Sequence, residues 1–280
     1  MRVAADAANN WKGIAMSASS PIVRALAERL DAAMQERAPI GHFAVSESVN
    51  TLDEAYAVQS AWTAMRVARG EKVMGRKIGL TAKAVQEQLG VDQPDYGTLW
   101  QSSFYEARNG KVTVPASDFI APRIEGEVAF LIGKPLDRPG VTPADIIAAT
   151  EACALGVEIV DSRIADWKIR FFDTIADNAS YGGFTLGPWD SRLRDADLAA
   201  IGMTIAQNGA QVAEGTGAAV LGGPAISCAW LANRLQAFGV SLQPGDVVIS
   251  GALMKMIPFK AGDSFVFELA GQPSLSVTIA

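Results

Sequence analysis

Apolar residues recur at helical spacing near the start of this chain and at strand-like spacing after it. From Ser20 to about Arg37 the apolar positions lie three or four residues apart, which predicts a helix with proline in its first turn. A second helix is predicted from Thr51 to about Arg69, because Thr51 and Glu54 form the Thr-x-x-Glu pattern of a capping box. The first quarter of the chain is therefore predicted to be helical.

From residue 72 onward, short apolar runs end in glycine or in polar turn residues, which predicts strands. The Asn208-Gly209 pair within 203–213 predicts a hairpin. Helices are predicted after Thr142 and over 224–238, the latter with its apolar face inward: Ile226, Trp230, Leu231 and Leu235. The pattern predicts the α+β class, with a mixed, β-rich domain. Its strand runs are 72–80, 122–133, 154–160, 203–213, 247–251, 264–269 and 275–279.

The same pattern divides the chain into three parts. Residues 1–18 show no periodicity and mixed polarity, so we predict a disordered extension, with Met16 as an alternative start. Residues 19–72 are predicted to form a small helical N-terminal lobe, and residues 73–280 a β-rich domain.

Composition excludes several classes of function. The 280 residues are 49% hydrophobic with a net charge of −6, and no basic cluster is interleaved with aromatics, so nucleic acid is not an expected partner. No apolar run approaches the roughly 20 residues that span a bilayer, so we expect no membrane anchor and a cytoplasmic location. Cys153 and Cys228 stand singly among apolar residues and are predicted to be buried thiols. The single histidine, His42, leaves no histidine-rich zinc site.

Two acidic residues interrupt the apolar run at 122–133. Side chains alternate along a strand, so Glu125 and Glu127 project from one face, about 6–7 Å apart, while Gly126 faces the other way. Such a pair is most often an ordinary solvent-facing edge. A third acid, Glu158, also interrupts an apolar run, and three carboxylates on core-facing strands favour a hard divalent cation.

Three other polar positions are candidates for chemistry. Lys77 lies between two glycines in an apolar run, where it either extends to solvent or faces an anion in a cleft. Asp95 lies within 90–99, which is predicted to be a loop, and a turn-forming role is the simpler interpretation. Residues 173–183 place Asp, Asn and Ser before two glycines, which is typical of a polar site loop or of a capped helix turn.

Five motifs, in this order, resemble the 2-keto-4-pentenoate hydratase family of the fumarylacetoacetate hydrolase superfamily, from about residue 20 to the end. They are Gly75-Arg76-Lys77-Ile78-Gly79-Leu80-Thr81, the segment 89–99 around Pro94-Asp95-Tyr96-Gly97, Pro122-Arg123-Ile124-Glu125-x-Glu127, Glu158-x-x-x-Ser162-Arg163-Ile164-x-Asp166-Trp167, and Asp173-Thr174-x-Ala176-Asp177-Asn178-Ala179-Ser180.

The resemblance implies a rolled, mixed β domain behind a helical lobe, assembled as a homo-oligomer. It implies a Mg²⁺ or Mn²⁺ site on Glu125, Glu127 and Glu158, and catalytic roles for Lys77, Asp95 and Ser180. The expected reaction is the addition of water to a 2-hydroxy-2,4-dienoate, giving a 4-hydroxy-2-oxo acid in meta-cleavage catabolism of aromatic compounds.

Other functions fit parts of the same pattern. A 4-oxalocrotonate decarboxylase shares the fold and the glutamates, but an apolar residue is expected there in place of Asp95, so Asp95 favours hydration. A hydrolase of the same superfamily would need a His-Glu pair, and His42 lies in no matching motif. A non-catalytic metal-binding partner subunit of a decarboxylase is a further alternative.

One segment departs from the family pattern. After Ser250-Gly251-Ala252-Leu253, the residues Met254-Lys255-Met256 replace the Gly-Pro type of turn that the family resemblance implies. They add bulk and charge where the tail of the substrate is expected, so the length and charge of that tail stay open.

Overall fold

A computed structural model describes residues 20–83, 86–87 and 91–280. The segment 1–18 and the choice between Met1 and Met16 lie outside these residues. The helices with described bounds are α1 (Pro21–Glu36), α2 (Leu52–Ala68), α3 (Pro143–Ala149), α4 (Phe171–Ala176) and α5 (Pro224–Gln236). The strands are β1 (Val73–Gly79), β2 (Asp95–Trp100), β3 (Lys111–Val114), β4 (Arg123–Ile132), β5 (Thr150–Val160), β6 (Tyr181–Leu186), β7 (Gly202–Gln207), β8 (Ala210–Thr216), β9 (Val247–Ala252), β10 (Ile257–Pro258), β11 (Ser264–Leu269) and β12 (Leu275–Ile279).

The two predicted N-terminal helices are confirmed. Thr51 Oγ1 accepts a hydrogen bond from Glu54 N at 3.2 Å, and Glu54 Oε2 accepts one from Thr51 N at 3.2 Å, so the capping box begins α2. Helix α1 begins with Pro21 in its first turn, and it ends at Glu36, because the φ of 52° at Arg37 breaks the helical path.

The strands form two sheets, which agrees with the predicted β-rich α+β domain. The larger sheet has the order β2-β1-β9-β4-β5-β6, with β10 beside β4, and the smaller has the order β3-β12-β11-β7-β8. Gly126 of β4 faces the smaller sheet, because a Cβ at this position would lie 2.3 Å from Met203 Sδ. Glu125 and Glu127 therefore project from the opposite face of β4, as their spacing predicts.

The prediction of a loop over 90–99 is wrong at its second half, where strand β2 begins at Asp95. All six residues of β2 are buried, and they pair with β1 in antiparallel register. Gly97 forms no turn; it lies opposite Lys77, where its missing side chain leaves room for the lysine stem. The buried pairing with β1 outweighs the local turn preference of proline and glycine.

Of the two interpretations of 173–183, the capped helix turn agrees with the structure, and the site loop is wrong at both ends. Helix α4 occupies Phe171–Ala176, and the two glycines lie inside strand β6. Gly183 allows close packing, because a Cβ there would lie 2.8 Å from a carbon of the Tyr105 ring. Only Asp177 and the turn at Asn178–Ser180 separate the helix from the strand.

In the second half of the chain, most other predicted elements are confirmed. The hairpin turns at Asn208-Gly209, and the three closing strands are β9, β11 and β12. Helix α5 ends two residues before the predicted limit, at Gln236, and Ile226 is 44% exposed, so it does not face the core. Cys153 and Cys228 are buried free thiols.

The helical segment and the sheets share one hydrophobic core. Buried residues of α1 and α2, such as Leu30 and Trp62, belong to the same cluster as Trp100 and Phe184 of the larger sheet. The division at residues 72 and 73 stays a prediction. Among the described residues, no helix is long and apolar enough to cross a membrane.

One buried side chain links α2 to two other elements. Gln59 Nε2 donates hydrogen bonds of 2.8 Å to Tyr96 O in β2 and to Ile175 O in α4. A buried carbonyl that loses its donor costs about 1–3 kcal/mol. We therefore expect Gln59→Met, which keeps the volume but removes both donors, to lower the free energy of unfolding by about 2–4 kcal/mol in urea titration.

The matched control is Gln211→Met on the exposed strand β8. A surface substitution of this kind is expected to cost about 0.5 kcal/mol or less. Equal losses for the two variants would contradict the linking role of Gln59.

Candidate active site

Three glutamates converge on one face of the larger sheet. Glu125 of β4 lies directly opposite Glu158 of β5, and Glu127 follows two residues along β4. Each offers one carboxylate oxygen, and these oxygens all lie within 4.8 Å of one another. Glu127 and Glu158 are fully buried, whereas Glu125 is partly exposed. The cluster therefore opens to solvent at Glu125.

Burial and mutual repulsion make ionisation of this cluster unfavourable. Desolvation, followed by the charge of Glu158, raises the pKa of Glu125 to about 8. Desolvation, followed by the charge of Glu125, raises the pKa of Glu127 to about 8. Burial also raises the pKa of Glu158 well above its ordinary value, and the neighbouring Lys77 opposes the shift in all three. A second source of positive charge would relieve this repulsion.

The donor set fits a hard divalent cation. Glu127 Oε2 accepts a hydrogen bond from Gly251 N at 2.6 Å. In the described part of the chain, Glu127 Oε1 and Glu158 Oε2 have no hydrogen-bond partner, and Glu158 Oε1 has only the ion pair with Lys77. Buried oxygens without donors are costly unless a cation coordinates them. All-oxygen ligation of this kind is what Mg²⁺ and Ca²⁺ prefer.

Lys77 of β1 lies beside the cluster and is 2% exposed, which excludes a side chain extended to solvent. Its Nζ donates to Ala179 O at 2.9 Å and lies 3.1 Å from Glu158 Oε1 in an ion pair. Burial alone lowers the pKa of Lys77, but the surrounding carboxylates, Glu158 first, outweigh it and raise the pKa above its ordinary value. The lysine is a fixed positive charge.

Asp95, the first residue of β2, lies on the same side as Lys77. Its Oδ2 accepts a hydrogen bond from Thr174 Oγ1 at 3.2 Å, and its Oδ1 has no hydrogen-bond partner among the described atoms. Burial raises the pKa of Asp95, against the opposing charge of Lys77. Gly79 lies opposite Asp95 in β1, where a Cβ would lie 2.3 Å from Asp95 Oδ1 and 3.3 Å from Lys77 Nζ. The two side chains therefore approach each other over this glycine without forming an ion pair.

Ser180 lies in the turn that contacts the lysine. The backbone of Asn178, Ala179 and Ser180 is left-handed, with φ of 55°, 53° and 52°. Each non-glycine residue in this region costs about 1–2 kcal/mol, and such strain is concentrated at functional sites. Ser180 Oγ lies 3.5 Å from Asp177 Oδ2, so its hydroxyl faces Asp177.

The structure brings five of the six candidate residues into direct contact or close approach, and it places Ser180 one residue beyond the carbonyl that binds Lys77. The sequence motifs contain four further residues of the site, Gly79, Thr174, Asn178 and Gly251, but no individual role was predicted for them. The signal that could have identified Gly79 is the pair of glycines that flank Lys77, each two residues away from it. Gly251 supports the site through its backbone amide, Thr174 through its hydroxyl and Asn178 through its side-chain amide. The partners of these three groups are distant in sequence.

The segment that departs from the family pattern runs along the edge of β4, beside the cluster. Ala252 pairs with Glu127, and Pro258 pairs with Arg123, so residues 253–257 follow the edge of β4 between these two positions. The Arg123 guanidinium lies 4.4 Å from the centre of the Trp167 ring, and its Nη1 lies 3.7 Å from Met256 Sδ.

Comparison with known proteins gives one consistent family. Residues 63–280 match the model of the fumarylacetoacetate (FAA) hydrolase C-terminal domain. The chain is 46% identical to a 2-hydroxyhexa-2,4-dienoate hydratase of Comamonas testosteroni, over 81% of this chain and 86% of the relative. It is 41% identical to a 2-keto-4-pentenoate hydratase of Paraburkholderia phymatum, over 92% of this chain and 97% of the relative.

Among the solved structures, one similar protein is an enzyme whose named activity differs from that of the two hydratases. A 4-oxalocrotonate decarboxylase from Pseudomonas putida G7, complexed with magnesium and adipate, superposes with a TM-score of 0.87 at 35% identity. The match covers 92% of this chain and 97% of the decarboxylase.

The repulsion within the carboxylate cluster predicts a strong effect of metal on stability. Mg²⁺ added to EDTA-treated protein is expected to raise the midpoint of thermal unfolding by about 5 °C or more at 100 times its dissociation constant. Glu158→Gln is expected to abolish most of this shift, because it removes one charged ligand. Differential scanning calorimetry measures both.

Glu151→Gln is the matched control, because this glutamate lies on the same strand in an exposed position. Its response to Mg²⁺ is expected to equal that of the unchanged protein. An undiminished shift in Glu158→Gln would remove Glu158 from the metal site.

Proposed function

The chain belongs to the fumarylacetoacetate hydrolase family, and from this premise we propose that it is a metal-dependent hydratase that converts a 2-hydroxy-2,4-dienoate into a 4-hydroxy-2-oxo acid. This is a reaction of meta-cleavage catabolism of aromatic compounds, and the names of the two hydratase relatives support it. The observation that carries the proposal is the approach of a buried lysine and a buried aspartate over Gly79, beside three glutamates.

The chemistry explains why such a site is needed. Protonation of the dienol at C5 gives a 2-oxo-3-enoate, in which the C3–C4 double bond is conjugated to the C2 carbonyl. Water then adds its oxygen to C4, and a proton goes to C3. Negative charge develops on the C2 oxygen during the addition, so positive charge fixed beside that oxygen accelerates it.

Glu125, Glu127 and Glu158 would hold Mg²⁺ or Mn²⁺, which supplies a Lewis acid for the C2 oxygen when bound. Lys77 adds a second positive charge, since its ammonium is buried and charged. The ammonium is directed by Ala179 O and Glu158 and does not reach solvent. It neutralises the developing charge or the carboxylate of the substrate.

Asp95 carries the proton. Burial raises the pKa of this carboxyl, which favours the protonated form that a general acid requires. Thr174 holds Oδ2, so Oδ1 is the oxygen that gives a proton to the distal carbon or takes one from water. Ser180 is assigned a hydrogen bond to the substrate or to the attacking water.

The second candidate function is decarboxylation of 4-oxalocrotonate, and the likeness to the decarboxylase structure favours it. Both reactions need an enolate at C2, but only hydration needs a proton carrier beside the distal carbons. Asp95 supplies that group, which favours hydration. A non-catalytic partner subunit would have no use for the buried Lys77 and Asp95, although association with a decarboxylase partner is compatible with hydratase activity. We further propose a homo-oligomeric assembly.

Incubation of the Mg²⁺-loaded protein with two substrates distinguishes hydratase from decarboxylase activity. With 2-hydroxypenta-2,4-dienoate, we expect 4-hydroxy-2-oxopentanoate by mass spectrometry, and with 2-oxohex-3-enedioate we expect no CO₂. EDTA should abolish product formation, and Mg²⁺ or Mn²⁺ should restore it. Release of CO₂ without any hydrated product would assign the protein to the decarboxylases.

Gly79→Ala tests the arrangement of Asp95 and Lys77 over this glycine. The added methyl group would overlap Asp95 Oδ1, so the carboxyl must move and kcat is expected to fall by about 10²-fold or more. Mg²⁺ affinity, measured by calorimetry, is expected to stay within about threefold, because no glutamate is touched. Exposed Gly209→Ala, at a hairpin turn, controls for a general cost of losing glycine. Unchanged kcat in Gly79→Ala would exclude this arrangement.

A further inference from the structure

A buried side-chain amide ties the left-handed turn, Asn178–Ser180, to strand β2. Asn178 Oδ1 accepts a hydrogen bond from Thr98 N at 2.7 Å, and Asn178 Nδ2 donates one to Thr98 O at 2.9 Å. The amide therefore takes the place of a neighbouring strand for one residue of β2. Asn178 is fully buried, and asparagine is among the residues that tolerate left-handed backbone.

The turn is packed against the lysine that it contacts. Gly97 lies opposite Lys77 in the sheet, and a Cβ at Gly97 would lie 2.4 Å from Asn178 O and 3.1 Å from Lys77 Cδ. The next carbonyl, Ala179 O, accepts the 2.9 Å hydrogen bond from Lys77 Nζ. The position of the turn therefore determines the direction of the ammonium.

An ammonium has three N–H donors. Ala179 O takes one, and Glu158 Oε1 lies 3.1 Å away beside another. A third is left for an oxygen of the substrate. If the turn shifted, the ammonium would lose the contact that prevents it from moving fully onto the buried carboxylates.

Both ends of the turn are held by a second side chain, that of Arg163. Arg163 pairs with Asp177, and its Nη1 donates to Tyr181 O at 2.6 Å. Both partners are buried and flank the turn on either side. Loss of the Asn178 amide therefore releases the turn from β2, while Arg163 still holds the residues on either side of it.

We propose that Asn178 is a positioning residue: by fixing the left-handed turn to β2, it holds the Ala179 carbonyl that aims Lys77 at the substrate. The inference rests on the proposed function in that the lysine acts on a 2-oxo acid or its enolate. The turn is thus part of the active site although its side chains are not assigned to the metal.

Asn178→Gly removes both hydrogen bonds to Thr98 and leaves the left-handed backbone without cost. We expect kcat to fall by about 10-fold or more, with KM and Mg²⁺ affinity within about threefold of the unchanged protein. Asn109→Gly is the matched control, because Asn109 is exposed and also has positive φ. Its kinetic constants are expected to be unchanged.

A double-mutant cycle separates positioning from a general structural role. In a Lys77→Met background, Asn178→Gly is expected to cost less than about twofold in residual activity, because its effect passes through the lysine. An equal loss in both backgrounds, or a loss of Mg²⁺ affinity, would overturn the proposal. If the glycine variant fails to fold, the same double-mutant cycle is measured with Asn178→Asp, which keeps the acceptor for Thr98 N and loses the donor to Thr98 O.

Binding of oxalate gives a readout that does not depend on turnover. Oxalate resembles the enolate of a 2-oxo acid in its two adjacent charged oxygens. We expect its affinity for the Mg²⁺-loaded protein, measured by calorimetry, to fall by about 10-fold in Asn178→Gly and in Lys77→Met, and no further in the double variant. If the unchanged protein hydrates no dienoate, the proposed function fails, and this cycle still decides the inference. Unchanged oxalate affinity in Asn178→Gly would overturn it.

Discussion

The site depends on electrostatic repulsion that the fold itself creates. Strand pairing places Glu125 opposite Glu158, and the alternation of side chains brings Glu127 to the same face. Two of these carboxylates are fully buried, and one buried ammonium, that of Lys77, lies among them. One positive charge does not balance three negative charges, so the folded chain is arranged to accept a further cation.

Close packing at glycines determines how the remaining groups surround this charge. Gly79 allows Asp95 and Lys77 to approach each other, Gly97 allows the left-handed turn to approach the lysine, and Gly126 lets the smaller sheet pack behind the cluster. At each of these positions a methyl group would overlap an atom of the site or of the facing sheet. The site therefore depends on glycine at these positions as much as on its acidic and basic residues.

The sequence was sufficient to predict the structural features that depend on a local pattern of residues. Alternation within β4 placed the two glutamates on one face, and Thr51 with Glu54 located the start of α2. Asp95 shows where local reasoning fails. Proline and glycine around it favour a turn, but β2 gains buried pairing with β1, which is not visible in the local sequence.

The supporting groups of the site were not predictable for a related reason. The Gly251 amide that binds Glu127 is 124 residues away from it in sequence, and the amide of Asn178 meets Thr98 across 80 residues. A hydrogen bond between a side chain and a distant backbone leaves no periodic signal in the sequence. Such contacts become visible only when the strands are paired.

The most direct test of this account is the position of a bound metal ion. Crystals of the protein grown with Mn²⁺ would be measured at a wavelength where manganese scatters anomalously. The account predicts one strong anomalous peak among the carboxylates of Glu125, Glu127 and Glu158, with Lys77 Nζ still beside Ala179 O. A peak elsewhere, or well-ordered glutamates with no peak among them, would contradict it.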